Sequence, residues 1–111
     1  MSRNHGGRYG GPEHRRKVAE RAEQLEAEGY VITGGGGRLP ERVVITPGGK
    51  RRYPDISAKE PSGKPYYENV GRTIKSGKPV ARERKALADI KNATGAEPGF
   101  TPMFDKRRTD K

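Results

Sequence analysis

Apolar residues near the start of the chain recur at helical spacing. Val18, Ala22 and Leu25 stand at i, i+4 and i+7 within Glu13 to Glu28. This predicts an amphipathic helix with one narrow buried stripe, closed by Gly29. Glu20, Glu23 and Glu26 fall off the stripe and read as a solvated face. His14 lies on the stripe beside Val18 and reads as a packing residue, because it has no histidine partner at i+4. The period then shortens to that of strands. Tyr30 to Thr33 is a β-type run stopped by Gly34 to Gly37, which read as a flexible connector because no Gly-Lys-Ser/Thr follows them. Runs at Glu41 to Thr46, Arg51 to Ser57 and Pro65 to Gly71 are separated by turn chemistry and predict a three-stranded antiparallel meander. Pro54 inside the second run cannot donate to a ladder and predicts a bend or an edge there. Ser76-Gly77-Lys78-Pro79 predicts the opening of a second helix, with Pro79 at its first position and Thr94-Gly95 at its close. Ala86, Leu87 and Ile90 form its buried stripe, and Glu83 falls in the middle of that stripe. Phe100 with Met103-Phe104 suggests a short edge strand.

This order predicts an α/β (α+β) domain: a mixed, largely antiparallel sheet of four to five strands flanked by two helices. Residues 1–12 read as a disordered arm or junction, 13–95 as the core, and 96–111 as an edge element and basic tail. Composition sharpens the picture. The chain has 111 residues of which 29% are hydrophobic, so one domain with a small core is expected. It carries 24 Lys+Arg against 14 Asp+Glu, for a formal charge of +10, and twelve of the cations lie in residues 61–111. Such a surplus suits a polyanionic partner. With no cysteine, neither disulfides nor a thiolate zinc site can form. No apolar run approaches the ~20 residues of a membrane span, and no signal-peptide core is seen, so a soluble chain without its own export signal is expected.

Phosphodiester hydrolysis needs charge neutralised on the phosphate and hydroxide generated near neutral pH, and a divalent ion held by carboxylates supplies both. Asp55 and Glu68 fall on neighbouring predicted strands, where alternation of side chains would let them converge on one metal. Oxygen ligands favour Mg²⁺, with Mn²⁺ or Zn²⁺ as alternatives. Glu83, a charge on a buried stripe, calls for a partner. Either it pairs with an arginine such as Arg72, or it turns into the site as a further acid. Arg72, Lys75, Lys78, Arg82, Arg84 and Lys85 make a basic rim suited to phosphates.

Three stretches carry a resemblance: Arg52-Tyr53-Pro54-Asp55-Ile56, then Tyr67-Glu68-Asn69-Val70-Gly71-Arg72, then Pro79 through Leu87. With the order of elements over residues 13–95, the chain resembles the PD-(D/E)XK, restriction-endonuclease-like nucleases. Within them it is similar to C-terminal toxin domains of bacterial polymorphic systems of the Rhs and contact-dependent inhibition kinds. The resemblance implies a metal-dependent nuclease delivered into the cytoplasm of a competitor bacterium and neutralised in the producer by a cognate immunity protein. Asp55 and Glu68 match the family's two acids. Val70 stands where its lysine is expected, and Arg72 on the same strand face, or a basic group of the second helix, would take the lysine's role. DNA is the first expected substrate and RNA, transfer RNA in particular, the second. Two other readings stay open: a metal-independent ribonuclease of the barnase or colicin type, and a nucleic-acid-binding module without catalysis.

Overall fold

A computed structural model of the chain describes residues 11–104. The sequence-predicted arm up to residue 10, with His5, and the basic end Lys106-Arg107-Arg108 lie outside the described residues. The elements run α1 (Pro12–Ala27), β1 (Val31–Gly35), β2 (Val44–Ile45), β3 (Arg51–Arg52), β4 (Ile56–Lys59), β5 (Pro65–Gly71), α2 (Ala81–Thr94) and β6 (Gly99–Pro102). Four strands form a mixed sheet in the order β1-β4-β5-β6, antiparallel except for the parallel β5–β6 pair. The class is α+β, as the sequence predicts. Among the described residues no helix is long and apolar enough to cross a membrane.

Helix α1 starts at Pro12, whose missing N–H costs nothing in a first turn. It ends in a Schellman arrangement: Gly29 adopts φ 99°, its N–H reaches the Glu26 carbonyl, and the Tyr30 N–H reaches that of Leu25. Its stripe of Val18, Ala22 and Leu25 packs onto Ile32, Ile56, Ala58 and Val70, and these seven buried residues are the core. Tyr30 and Tyr66 close one side of it edge to face, with ring centroids 5.2 Å apart.

Two sequence expectations need correction. The meander is not one sheet, because β2 and β3 form a separate two-stranded hairpin, while β4 leaves it and pairs with β1. The break falls at Tyr53-Pro54-Asp55, where proline removes the donor a continuous ladder would need. Helix α2 also begins two residues after Pro79. Thr73 and Pro79 form an isolated bridge and the Val80 N–H bonds the Arg72 carbonyl, so the Ser76–Pro79 stretch closes a turn before the helix starts. The hairpin docks on α2 through Asp89, which accepts from Arg52 Nε at 2.8 Å and lies 3.7 Å from Lys50 Nζ. The hydrogen bond from Arg52 holds the Asp89 carboxyl below its ordinary range.

The glycine tract is built into the fold rather than a loose connector. A register shift between Ile32 and Gly34 bulges β1, and Gly35, Gly36 and Gly37 then follow at φ 63°, 72° and 80°. A Cβ at Gly35 would overlap the Asp55 carbonyl, and the Gly36 N–H donates to that carbonyl at 2.9 Å. The tract therefore fixes the backbone of Asp55.

Candidate functional site

Alternation along β5 decides which carboxylates can meet. The register sets Ile56 opposite Glu68 and Ala58 opposite Tyr66, so Tyr66, Glu68 and Val70 face α1 with the core. Asn69 and Gly71 face the other way. Asp55 precedes β4 and shares the parity of Asn69, whose Oδ1 accepts the Asp55 N–H at 3.1 Å. The expected convergence of Asp55 and Glu68 is therefore not met.

Glu68 is instead consumed inside the protein. It is 1% exposed, and Arg21 donates to it bidentately, Nε at 2.7 Å and an Nη at 2.9 Å. The Tyr66 hydroxyl donates to Oε1 and the Thr101 hydroxyl to Oε2, both at 2.6 Å. Burial pushes this carboxyl up, but the bonds from Arg21, Thr101 and Tyr66 outweigh it, and Glu68 titrates below its ordinary value. Both oxygens are saturated, and a metal there would first have to displace Arg21. Burial and the neighbouring Glu68 push the Tyr66 phenol up, so it stays a donor. Gly99 leaves room for this hydroxyl, since a Cβ there would overlap it.

Asp55 sits where the β4–β5 ladder ends. Extending the register would place Pro54 opposite Val70, and proline has no N–H to give. The Val70 N–H goes instead to Asp55 Oδ2 at 2.8 Å. The Val70 carbonyl lies 3.1 Å from His14 Nε2, which also lies 3.2 Å from Asp55 Oδ2. Both partners of Nε2 accept, so the hydrogen resides on that nitrogen and the ring titrates at Nδ1. The packing residue read from sequence is thus a polar partner of Asp55.

The hydrogen bond with Asp55 raises His14 above 6.5 against the opposing effect of burial. Because the folded value is raised, the interaction stabilises the fold fully below pH 6.5 and is lost as pH rises through the folded value. We expect an NMR titration of the His14 ring to show a midpoint above 6.5 and Asp55→Asn to return it to 6.5 or below. An unchanged midpoint in the variant would remove Asp55 as the cause.

Asp55 and His14 floor a cavity of about 370 Å³ whose wall includes Arg51 and Arg52 from β3, Arg72 from the connection after β5, and Arg82 and Glu83 from α2. Glu83 stands directly over Gly71, where a Cβ would overlap its carboxylate. Among the described residues its side chain makes no ion pair and no hydrogen bond, so the expected pair with Arg72 is not formed. Burial raises the Glu83 carboxyl, and repulsion from Asp55 raises it further. Glu41 is raised for the same two reasons from the opposite side of Asp55. Of the rim, Arg72 and Arg82 line this cavity, whereas Lys75, Lys78 and Lys85 are exposed and line no described cavity with Asp55. Arg84 turns back to the Pro79 carbonyl at 2.7 Å.

Asp55 and Glu83 are the carboxylates that one cation would find in this cavity. Among the described residues no group of three or more His, Asp or Glu side chains is spaced to hold a metal. Two carboxylates suffice for Mg²⁺, which keeps several waters and takes further oxygens from a phosphate. The sequence carries a signal for His14 and for Arg21 as well, because each polar group falls on the buried stripe of α1 and so requires a partner across the core.

Comparison with known proteins gives no match: no family model, no curated protein and no solved structure matches the chain.

Proposed function

We propose that the chain is a nuclease that hydrolyses phosphodiester bonds in the cavity above Asp55, with Glu83 in the role the sequence assigned to Glu68. One observation carries the reading. A half-buried Glu83 carboxylate, with no ion pair or hydrogen bond among the described residues, lines the same arginine-walled cavity as Asp55. The charge of Asp55 disfavours ionisation of Glu83, and a divalent cation between the two would remove that cost. When bound, the metal would supply charge neutralisation and a water acidified toward neutral pH.

The protein's own groups do the rest. Val70 and His14 fix the Asp55 carboxylate through Oδ2. Arg72 and Arg82 stand where they would bind the non-bridging phosphate oxygens, and Arg72 takes the place of the lysine missing at Val70. His14, raised by its hydrogen bond with Asp55, would offer a proton to the departing oxygen. DNA is the first substrate and RNA the second. The resemblance to polymorphic toxin domains extends the proposal to delivery into a competitor cell and to a cognate immunity protein.

A metal-free reading has support of its own, because the raised Glu83 and the raised His14 also form a base and an acid in one cavity. Incubation of the purified chain with plasmid DNA and with total RNA, with Mg²⁺, Mn²⁺ or Zn²⁺ and with EDTA, separates the two. Metal-dependent cleavage is the expected result. Cleavage of RNA that survives EDTA would favour the second reading, and no cleavage of either polymer would overturn both.

Gly71→Ala is a direct probe of Glu83. Position 71 does not adopt a left-handed φ, so the variant is unstrained in its backbone and acts by displacing the carboxylate above it. Misplacement of a reacting group by about 1 Å costs on the order of 100-fold in rate. We expect a loss of that size in cleavage with the folded state retained in circular dichroism; full activity would argue against Glu83.

A further inference from the structure

We propose that the substrate is a single-stranded or locally unpaired nucleic acid and that Tyr53 stacks on one of its bases; this rests on the nuclease reading and names its substrate class. Asp55, His14 and Tyr53 line two cavities, one on each side of them, of about 370 and 490 Å³. The two differ in chemistry. The first carries Arg51, Arg72 and Arg82 and suits phosphates. Beyond the shared Asp55 and His14, the second has apolar Val18 and Leu39, with Arg15 and Glu41 as charged groups. That mixture suits the face and edge of a base better than a phosphate. A strand laid from one to the other would cross Asp55 and His14 in between.

Tyr53 stands at the crossing. It is 51% exposed, a large ring left half in water in a chain with five tyrosines, two phenylalanines and no tryptophan. Its backbone is held on both sides, by Arg52 bound to Asp89 at 2.8 Å and by buried Pro54. A tyrosine on a fixed backbone has few side-chain torsions left to lose on binding and makes an effective stacking platform. In a duplex the base faces are already covered by their neighbours and only the edges are offered. An aromatic platform flanked by a basic wall therefore selects unpaired strands, and it tolerates any sequence because every base has a face.

The test measures binding of the Asp55→Asn chain to short oligonucleotides carrying 2-aminopurine, whose fluorescence is quenched by stacking, as single strands and as the matching duplex. Single strands are expected to bind about tenfold more tightly than the duplex, with quenching, and Tyr53→Ala to lose about tenfold of that affinity together with the quenching, while Tyr53→Phe keeps both. Equal binding of the duplex, or binding and quenching indifferent to Tyr53→Ala, overturns the inference. Cleavage of the same strands by the unsubstituted chain is followed in parallel. Cleavage together with Tyr53-independent binding overturns the stacking role alone, whereas Tyr53-dependent binding without cleavage by the unsubstituted chain overturns the nuclease reading and leaves the stacking role standing.

Discussion

Replacing Glu68 with alanine is expected to lower folding stability by about 3 kcal/mol, the lower end of what is lost when one partner of a buried ion pair is removed. The substitution leaves the Arg21 guanidinium and the Tyr66 and Thr101 hydroxyls without their acceptor in the interior. Arg21 keeps some access to water, which places the loss at that lower end. A domain of this size has only about 5–15 kcal/mol to lose. Urea unfolding should show a lower midpoint at an unchanged m-value.

The effect also has a pH signature. Glu68 is depressed in the folded state, so its contribution is present above its ordinary 4.5 and is lost as pH falls through the lower folded value. Acid unfolding below pH 4.5 should flatten in Glu68→Gln. A metal ligand would behave in the opposite way, with stability nearly intact and cleavage lost.

Asp55→Asn is expected to leave the fold and lower cleavage by about 1000-fold, the scale on which preorganised electrostatic groups contribute to a transition state. An asparagine Oδ1 still accepts from the Val70 N–H, which preserves the end of the β4–β5 ladder. What disappears is the negative charge that the proposal assigns to holding a cation and that raises the His14 pKa. Rate measured at saturating substrate, with unfolding midpoints for both chains, separates loss of chemistry from loss of structure. A variant that cleaves within tenfold of the unsubstituted chain would remove Asp55 from the site.

How far the sequence speaks depends on the range of the interaction. Helix α1 is legible from Val18, Ala22 and Leu25 because its period is local, and the break at Pro54 is legible because proline lacks a donor wherever it sits. The register of β4 against β5 is not local. One residue of shift moves Glu68 from the face of Asp55 to the core face, and the loop from Glu60 to Lys64 that sets it does not reveal its pairing from composition alone. Glu68 therefore reads as a second site acid in one dimension and proves to be the anion of Arg21 in three.

Glu83 shows the converse. Its place on the stripe of α2 marks it as anomalous, but the choice between an ion pair and a site depends on Gly71, twelve positions away, leaving the space it fills. Of the anomalous polar residues on apolar stripes, His14 and Arg21 find their partners in Asp55 and Glu68, and Glu83 is the one to which the proposal gives a role.

The identity of the second acid is the central claim, and paired conservative variants test it most directly. Metal-dependent cleavage by Glu83→Gln and by Glu68→Gln, each normalised to its folded fraction at low temperature, is expected to be lost in the first and kept within a few-fold in the second. Cleavage kept by Glu83→Gln and lost by folded Glu68→Gln would contradict the account.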